Sequence, residues 1–362
     1  MKYLTLVWLV ASAVGAVLAV AGCGGGAHGP APVALSSPPL PTPTPAARRL
    51  YVDHDGTLYE YALPLTPASK PQRTLPESPG SGFAPQIAVD PGGKIAIASA
   101  TNIRVFHPPI VSFAPSAARL TITLTPAITE MGPGGADLVD LEYDPNANLW
   151  LLNNLGGEVA ELAAPISASS VAALTIGFGA PGSKTAGYSA LIQARFDVSS
   201  ALYVYANQSG TQRSRVFKIS FPYAKPPSSI GLDLAQADFV DPSQYLPTNP
   251  NPAPLLLGQY VGPLSSPPPG LPPPPPVNEL SQFAQPFNPV LGVFPDATAK
   301  TIVGALIADP PRRAFYTLDT ATGRLDAYDL PLATNARPKI SLACLGGVTT
   351  CDGKAEHLFL AP

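Results

Sequence analysis

Five stretches of this chain end an apolar run on aspartate at intervals of 44 to 68 residues: IAVDP, LEYDP, ARFDV, DFVDP and LIADP, aligned on Asp90, Asp144, Asp197, Asp241 and Asp309. A period of this size marks a fold assembled from repeated supersecondary units. The residues around each aspartate say what a unit contains. A short turn follows, then a run such as KIAIAS, NLWLLN, ALYVYA or RAFYTL. Short runs of β-branched, aromatic and aliphatic residues are strand formers. A third run (GTLYEYALP, NIRVFHPP, GEVAELAAP, GRLDAYDLP) tends to finish on proline, and a fourth closes the unit: QRTL, RLTITL, AALTIG, SIGLDL and KISLA.

Four short strands repeated about every fifty residues predict an all-β fold, a β-propeller in which each unit is one blade. No long run of period 3.6 supplies helices to cover a parallel sheet, which disfavours α/β folds. Unit five is degraded, yet ADFVDP, LLLGQY (255–260), NELSQFAQP (278–286) and VLGVF (290–294) provide its strands. PPPGLPPPPP (267–276) then falls in a loop, because proline donates no ladder hydrogen bond. The chain's ends complete each other. RRLYVDHD (48–55) matches the second-strand column with only spacer before it, and EHLFLAP (356–362) matches the first-strand column with nothing after it. The expectation is a six-bladed β-propeller over residues 48–362. Its C-terminal strand pairs beside residues 50–53 of the first blade and closes the ring, which also removes exposed strand edges.

Residues 1–22 carry one positive charge at Lys2 and then an uncharged apolar run from Tyr3 to Ala21. This is the layout of a secretory signal. An uncleaved anchor helix is the alternative, since the run approaches the roughly 20 residues needed to span a bilayer. Val20, Ala21, Gly22 and Cys23 resemble the lipobox of bacterial lipoproteins. The resemblance implies cleavage before Cys23, a diacylglycerol on its sulfur and a further acyl chain, and two such anchors hold a protein stably on a membrane. Residues 23–47 are a Pro/Gly-rich spacer, flexible where glycine dominates and extended where proline does. The implied address is the cell envelope, extracytoplasmic and lipid-anchored, with the membrane as a partner through the anchor. Cys344 and Cys351 remain as an even pair in an oxidising compartment and are expected to form a disulfide around CLGGVTTC. A reactive thiol pair is the alternative, although redox couples usually sit closer, as in Cys-x-x-Cys.

An apolar strand ending Val-Asp-Pro, a Gly or Asn turn and then an LYV-type strand resembles NHL-repeat and gluconolactonase-like six-bladed propellers. IAVDPGGKIAIASATNIRVF (87–106) carries that resemblance best. It implies a fold and leaves activity open, because propellers host binding modules and enzymes alike. The column aspartates have a structural explanation, since a carboxylate beside a turn accepts backbone N–H bonds. A lactonase-like member would hold a divalent metal near the axis on several oxygen ligands. Here the first strands, expected to line that axis, are mainly Ile, Ala, Val, Leu and Phe, with Glu142, Arg195 and Asp238 as polar exceptions. Glu142 and Arg195 share a column in adjacent units. They are expected to pair, because a buried charge without a partner is costly.

A net charge of −3 with 12% charged residues indicates no basic face suited to nucleic acid. No Gly-x-Ser-x-Gly elbow, His-Glu-x-x-His or phosphate-binding glycine loop occurs. Asp53, His54 and Asp55 are metal-ligand types, but Asp55-Gly56 is also a hairpin-turn signal. No catalytic residue, metal or cofactor is expected. What recurs between second and third strands is a set of polar side chains: Asp53, His54, Asp55, Asn102, Asn153, Asn154, Asn207, Gln208 and Asp319. They suit a protein, peptide or glycan ligand, although loops are polar for solvation alone. The functional expectation is a noncatalytic binding or scaffolding module. A metal-dependent hydrolase or lactonase of the gluconolactonase-like type is the alternative.

Overall fold

The computed structural model describes residues 48–54, 57–76, 86–196, 200–208, 214–223, 227–234, 237–241, 255–261, 277–283, 290–295, 303–309, 312–319, 324–329, 337–342 and 355–361. Residues 1–47, among them Cys23, and Asp55, residues 267–276, Cys344 and Cys351 lie outside them.

The sequence units become antiparallel strands in chain order. They are β1 (Arg49–His54), β2 (Thr57–Ala62) and β3 (Arg73–Pro76), then β4 (Gln86–Val89), β5 (Ile95–Ala98), β6 (Asn102–Phe106) and β7 (Leu120–Thr123). Next come β8 (Leu138–Tyr143), β9 (Leu149–Asn153), β10 (Glu158–Leu162) and β11 (Leu174–Gly177), and β12 (Ala190–Phe196), β13 (Leu202–Asn207), β14 (Ser214–Ile219) and β15 (Ser228–Leu234). The irregular unit supplies β16 (Ala237–Asp241), β17 (Leu255–Val261), β18 (Val277–Phe283) and β19 (Val290–Pro295). The chain finishes with β20 (Val303–Asp309), β21 (Ala314–Asp319), β22 (Leu325–Asp329), β23 (Ile340–Leu342) and β24 (Ala355–Ala361).

These strands form six four-stranded sheets, one of them ordered β24-β1-β2-β3. In it Leu50 faces Leu360, Tyr51 faces Phe359 and Val52 faces Leu358. The first strands neighbour one another in the order β4, β8, β12, β16, β20, β24, and β24 also adjoins β4. The fold is an all-β propeller.

Period-two alternation explains why the second strands read as unbroken apolar runs. Every residue of β9 is buried. Leu149 and Leu151 pack with Ile103 and Ile122 of the preceding sheet, while Trp150 and Leu152 pack with Leu202, Val204 and Phe217 of the next. A strand covered on both faces has no polar side to show. The first and last sheets meet in the same way, through Leu50, Val52 and Leu358 against Tyr316, Leu318 and Leu325.

The column aspartates fix turns. Asp90 Oδ1 accepts the Gly92 and Lys94 amides at 2.8 and 2.7 Å, and Asp144 Oδ1 accepts those of Asn146 and Asn148 at 2.8 and 2.9 Å. Gly93, Ala147 and Ser200, each three residues past its aspartate, adopt positive φ (81°, 63° and 62°). Asp309 differs for a covalent reason. Its turn reads Asp-Pro-Pro, so the position that supplies an amide in the other turns has no N–H. Two guanidinium groups serve instead, from Arg48 at 2.8 Å and Arg312 at 3.1 Å.

Beside the Asp144 turn, burial raises the Glu161 carboxyl above the usual carboxylate range, and the Asp144 charge adds to this. A pKa raised on folding favours the folded state while the group is protonated. That advantage disappears as pH rises from the ordinary glutamate value, about 4.3, through the raised one. Glu161→Gln should therefore melt above the parent at pH 7 and level with it near pH 3. Thermal denaturation of the two chains across that range checks the sign.

Candidate functional site

Each first strand starts at one end of the propeller, here the upper face, where the connections from second to third strands and from one sheet to the next also lie. The lower face carries the connections from first to second and from third to fourth strands. Near the upper face four of the first strands share an irregularity. Register shifts between Leu138 and Asp140, Leu191 and Gln193, Ala237 and Phe239, and Val303 and Ala305 mark bulges in β8, β12, β16 and β20. A bulge re-aims the side chain beside it.

In β8 the consequence is chemical. Asp140 follows the bulge, is 2% exposed, and accepts the backbone amides of Leu141 and Ala194 at 2.9 and 2.8 Å. Its Oδ2 also lies 2.9 Å from Arg195 Nη1. Glu142 is 3.3 Å from the same nitrogen, so the expected pairing with Arg195 forms. The nearer and more deeply buried carboxylate is nevertheless Asp140, which sequence reasoning missed. Only the alternation was visible in the sequence, and the bulge shifts it by one. Asp238, the third axial candidate, falls within the β16 bulge, and its side chain lies outside the described residues. Among the described residues no group of three His, Cys, Asp or Glu side chains is placed to hold a metal.

The recurring polar positions divide. Asn102, Asn154, Asn207 and Gln208 are half-buried at the upper face. The structure corrects the reading of Asn153, which is fully buried. Its Nδ2 donates to Thr129 Oγ1 at 2.9 Å and to the Glu130 carbonyl at 2.8 Å, and its Oδ1 accepts the Asp137 amide at 3.0 Å. Glu158 accepts from the Thr129 hydroxyl and the Glu130 amide. Asn153 thus clamps the 124–137 connection onto the β9–β10 turn and is not available to a ligand. Asp53 is corrected likewise. It is 1% exposed and sits inside β1 between Leu58 and His357 of the flanking strands, because β24 extends the sheet over what the sequence presented as a turn. His54 and Asp319 end β1 and β21, and their side chains, like Asp55, lie outside the described residues.

Among the described residues, two long connections build this face. The 124–137 segment closes on Ala100, and a Cβ on Gly135 (φ +108°) would lie 2.3 Å from the Ala100 carbonyl oxygen, so only glycine fits. The 178–189 segment is seated by Tyr188 and Phe178, whose ring centroids lie 5.3 and 5.7 Å from that of Phe217, and Arg215 caps Tyr188 at 5.1 Å. Among the described residues, Asn154 Oδ1 and Gln86 Oε1 are buried acceptors with no hydrogen-bond donor. Gln86 opens β4 and, like Asp140 within β8, stands four residues before its column aspartate.

No family of known proteins and no curated protein matches the sequence. Solved structures do match. A protein of unknown function from Bacteroides caccae is 11% identical at a TM-score of 0.51, covering 87% of this chain and 99% of that one. Streptogramin B lyase is 12% identical at a TM-score of 0.43, covering 80% of this chain and 76% of that one. Hydrazine synthase of Kuenenia stuttgartiensis is 11% identical at a TM-score of 0.49, covering 76% and 71%. Likeness at these identities speaks to the fold alone.

Proposed function

We propose that this protein is a lipid-anchored, extracytoplasmic module with a six-bladed body closed by β24, and that it binds or scaffolds through its upper face without catalysing a reaction. Support for closure is the position of β24 beside β1, β20 and β4. Support for the address is the lipobox-like sequence at Cys23, and the disulfide between Cys344 and Cys351 belongs to the same reading. The observation that carries the binding role is the set of half-buried amide side chains Asn102, Asn154, Asn207 and Gln208 at the upper face. An amide offers both donors and an acceptor, which suits the polar groups of a peptide or glycan.

The metal-dependent hydrolase reading has less to stand on, because both described axial carboxylates are engaged by Arg195. Calorimetric titration with calcium, magnesium and zinc separates the two. No saturable heat is expected from the full chain. A tight one-to-one isotherm that Asp140→Asn or Glu142→Gln abolishes would overturn the noncatalytic reading.

A further inference from the structure

Three features of the lower face coincide. The folded body is entered there: the carbonyl of Arg48, the first described residue, accepts the Leu63 amide at 3.2 Å, and its guanidinium reaches Asp309. The large exposed apolar side chains among the described residues are Val111, Val171 and Phe221, at 79%, 56% and 58% exposure. All three sit on connections from third to fourth strand, in three successive sheets. Charge is segregated the same way. Lys70, Arg119, Arg313 and Arg337 are exposed on lower-face connections. The described carboxylates at or near this face are Asp90, Asp144 and Asp309, which are buried in their turns, Glu60, which is buried against Arg49 and Arg73, Glu161, half-buried beside the Asp144 turn, and Asp329, which lies 3.0 Å from Lys339. Glu130 and Asp137, by contrast, are exposed on the upper face.

We propose that the lower face is a membrane-contacting surface that rests on anionic phospholipid headgroups, with Phe221, Val111 and Val171 entering the interface and the upper face turned away from the bilayer. This rests on the lipid-anchored reading. Isolated exposed apolar side chains are ordinary. Their coincidence with a cationic rim and with the origin of the tethered segment is what singles this face out. Each cation held near an anionic surface strengthens partitioning roughly fivefold. The tether alone would not impose contact, since residues 23–47 can extend to about 80 Å.

The test uses the full-length lipidated protein in phosphatidylglycerol-containing vesicles with brominated acyl chains. Trp150 is fully buried and leaves a quiet background for two probes, Phe221→Trp below and Lys184→Trp above. Quenching of Phe221→Trp by roughly twofold is expected, as suits a side chain at the headgroup–acyl boundary, with Lys184→Trp unchanged. Replacing Lys70, Arg119 and Arg313 by Glu should bring the quenching down to that in neutral vesicles. Equal response of the two probes, or no response in protein that stays with the vesicles, overturns the orientation and leaves the anchor standing. Protein that washes off the vesicles overturns both readings. A face that retains duplex oligonucleotide in preference to the vesicles also overturns the proposal.

Discussion

A chain lacking residues 355–362 should show no cooperative thermal transition at the parent's temperature. Without β24, the backbone groups of β1 that pair with it lose their partners and β1 becomes an exposed sheet edge. Leu50 and Val52, both fully buried, lose Leu358 and Leu360 from their surroundings, and Tyr51 loses Phe359. Each large apolar side chain returned to water costs about 1.5–3 kcal/mol, and each lost intramolecular hydrogen bond about 0.5–1.5 kcal/mol. Net stabilities are themselves only about 5–15 kcal/mol, so the combined loss reaches the whole. The effect spreads because β24 packs against β20, β21 and β4 as well as β1. Leu358→Ala is the graded version, expected to cost about 2–5 kcal/mol by leaving a cavity in the first-to-last sheet contact. Differential scanning calorimetry of both variants decides. A truncated chain that melts with the parent would mean that the terminal strand is a passenger and the proposed ring closure is wrong.

This strand shows what was legible in the sequence. Its pairing beside residues 50–53 could be read because β24 and β1 each carry half of a pattern that the other units carry whole, and strand composition is local information. The strands of the irregular fifth unit were legible for the same reason. The site was less so. Asp53 and Asn153 have the composition of wet turns, yet one is covered by a strand joined only in three dimensions and the other by a connection that begins 29 residues before it. Asp140 stayed hidden because a bulge breaks the alternation from which facing is inferred. Total charge was equally uninformative about the lower face, since −3 is a difference of larger numbers and says nothing of which cations the connections leave exposed there.

Arg195→Met should cost about 3–5 kcal/mol at neutral pH, the usual penalty for removing one partner of a buried ion pair. The methionine keeps most of the packing, so the loss reports the charge. Asp140 keeps its two amide donors but no longer its cation, 3% exposed as its side chain is. Glu142, 23% exposed, is screened by water and contributes less, so Glu142→Gln alone should cost under about 1 kcal/mol. Arg195→Met combined with Asp140→Asn should recover most of the deficit, because an amide oxygen can still accept one of the two backbone N–H bonds and no buried charge remains. Urea denaturation of these chains together with Asp140→Asn alone measures the coupling. If Arg195→Met unfolds within 1 kcal/mol of the parent, the axial cluster is solvated on the time average. The two carboxylates would then be free to serve a cation, which would restore the hydrolase reading to equal standing.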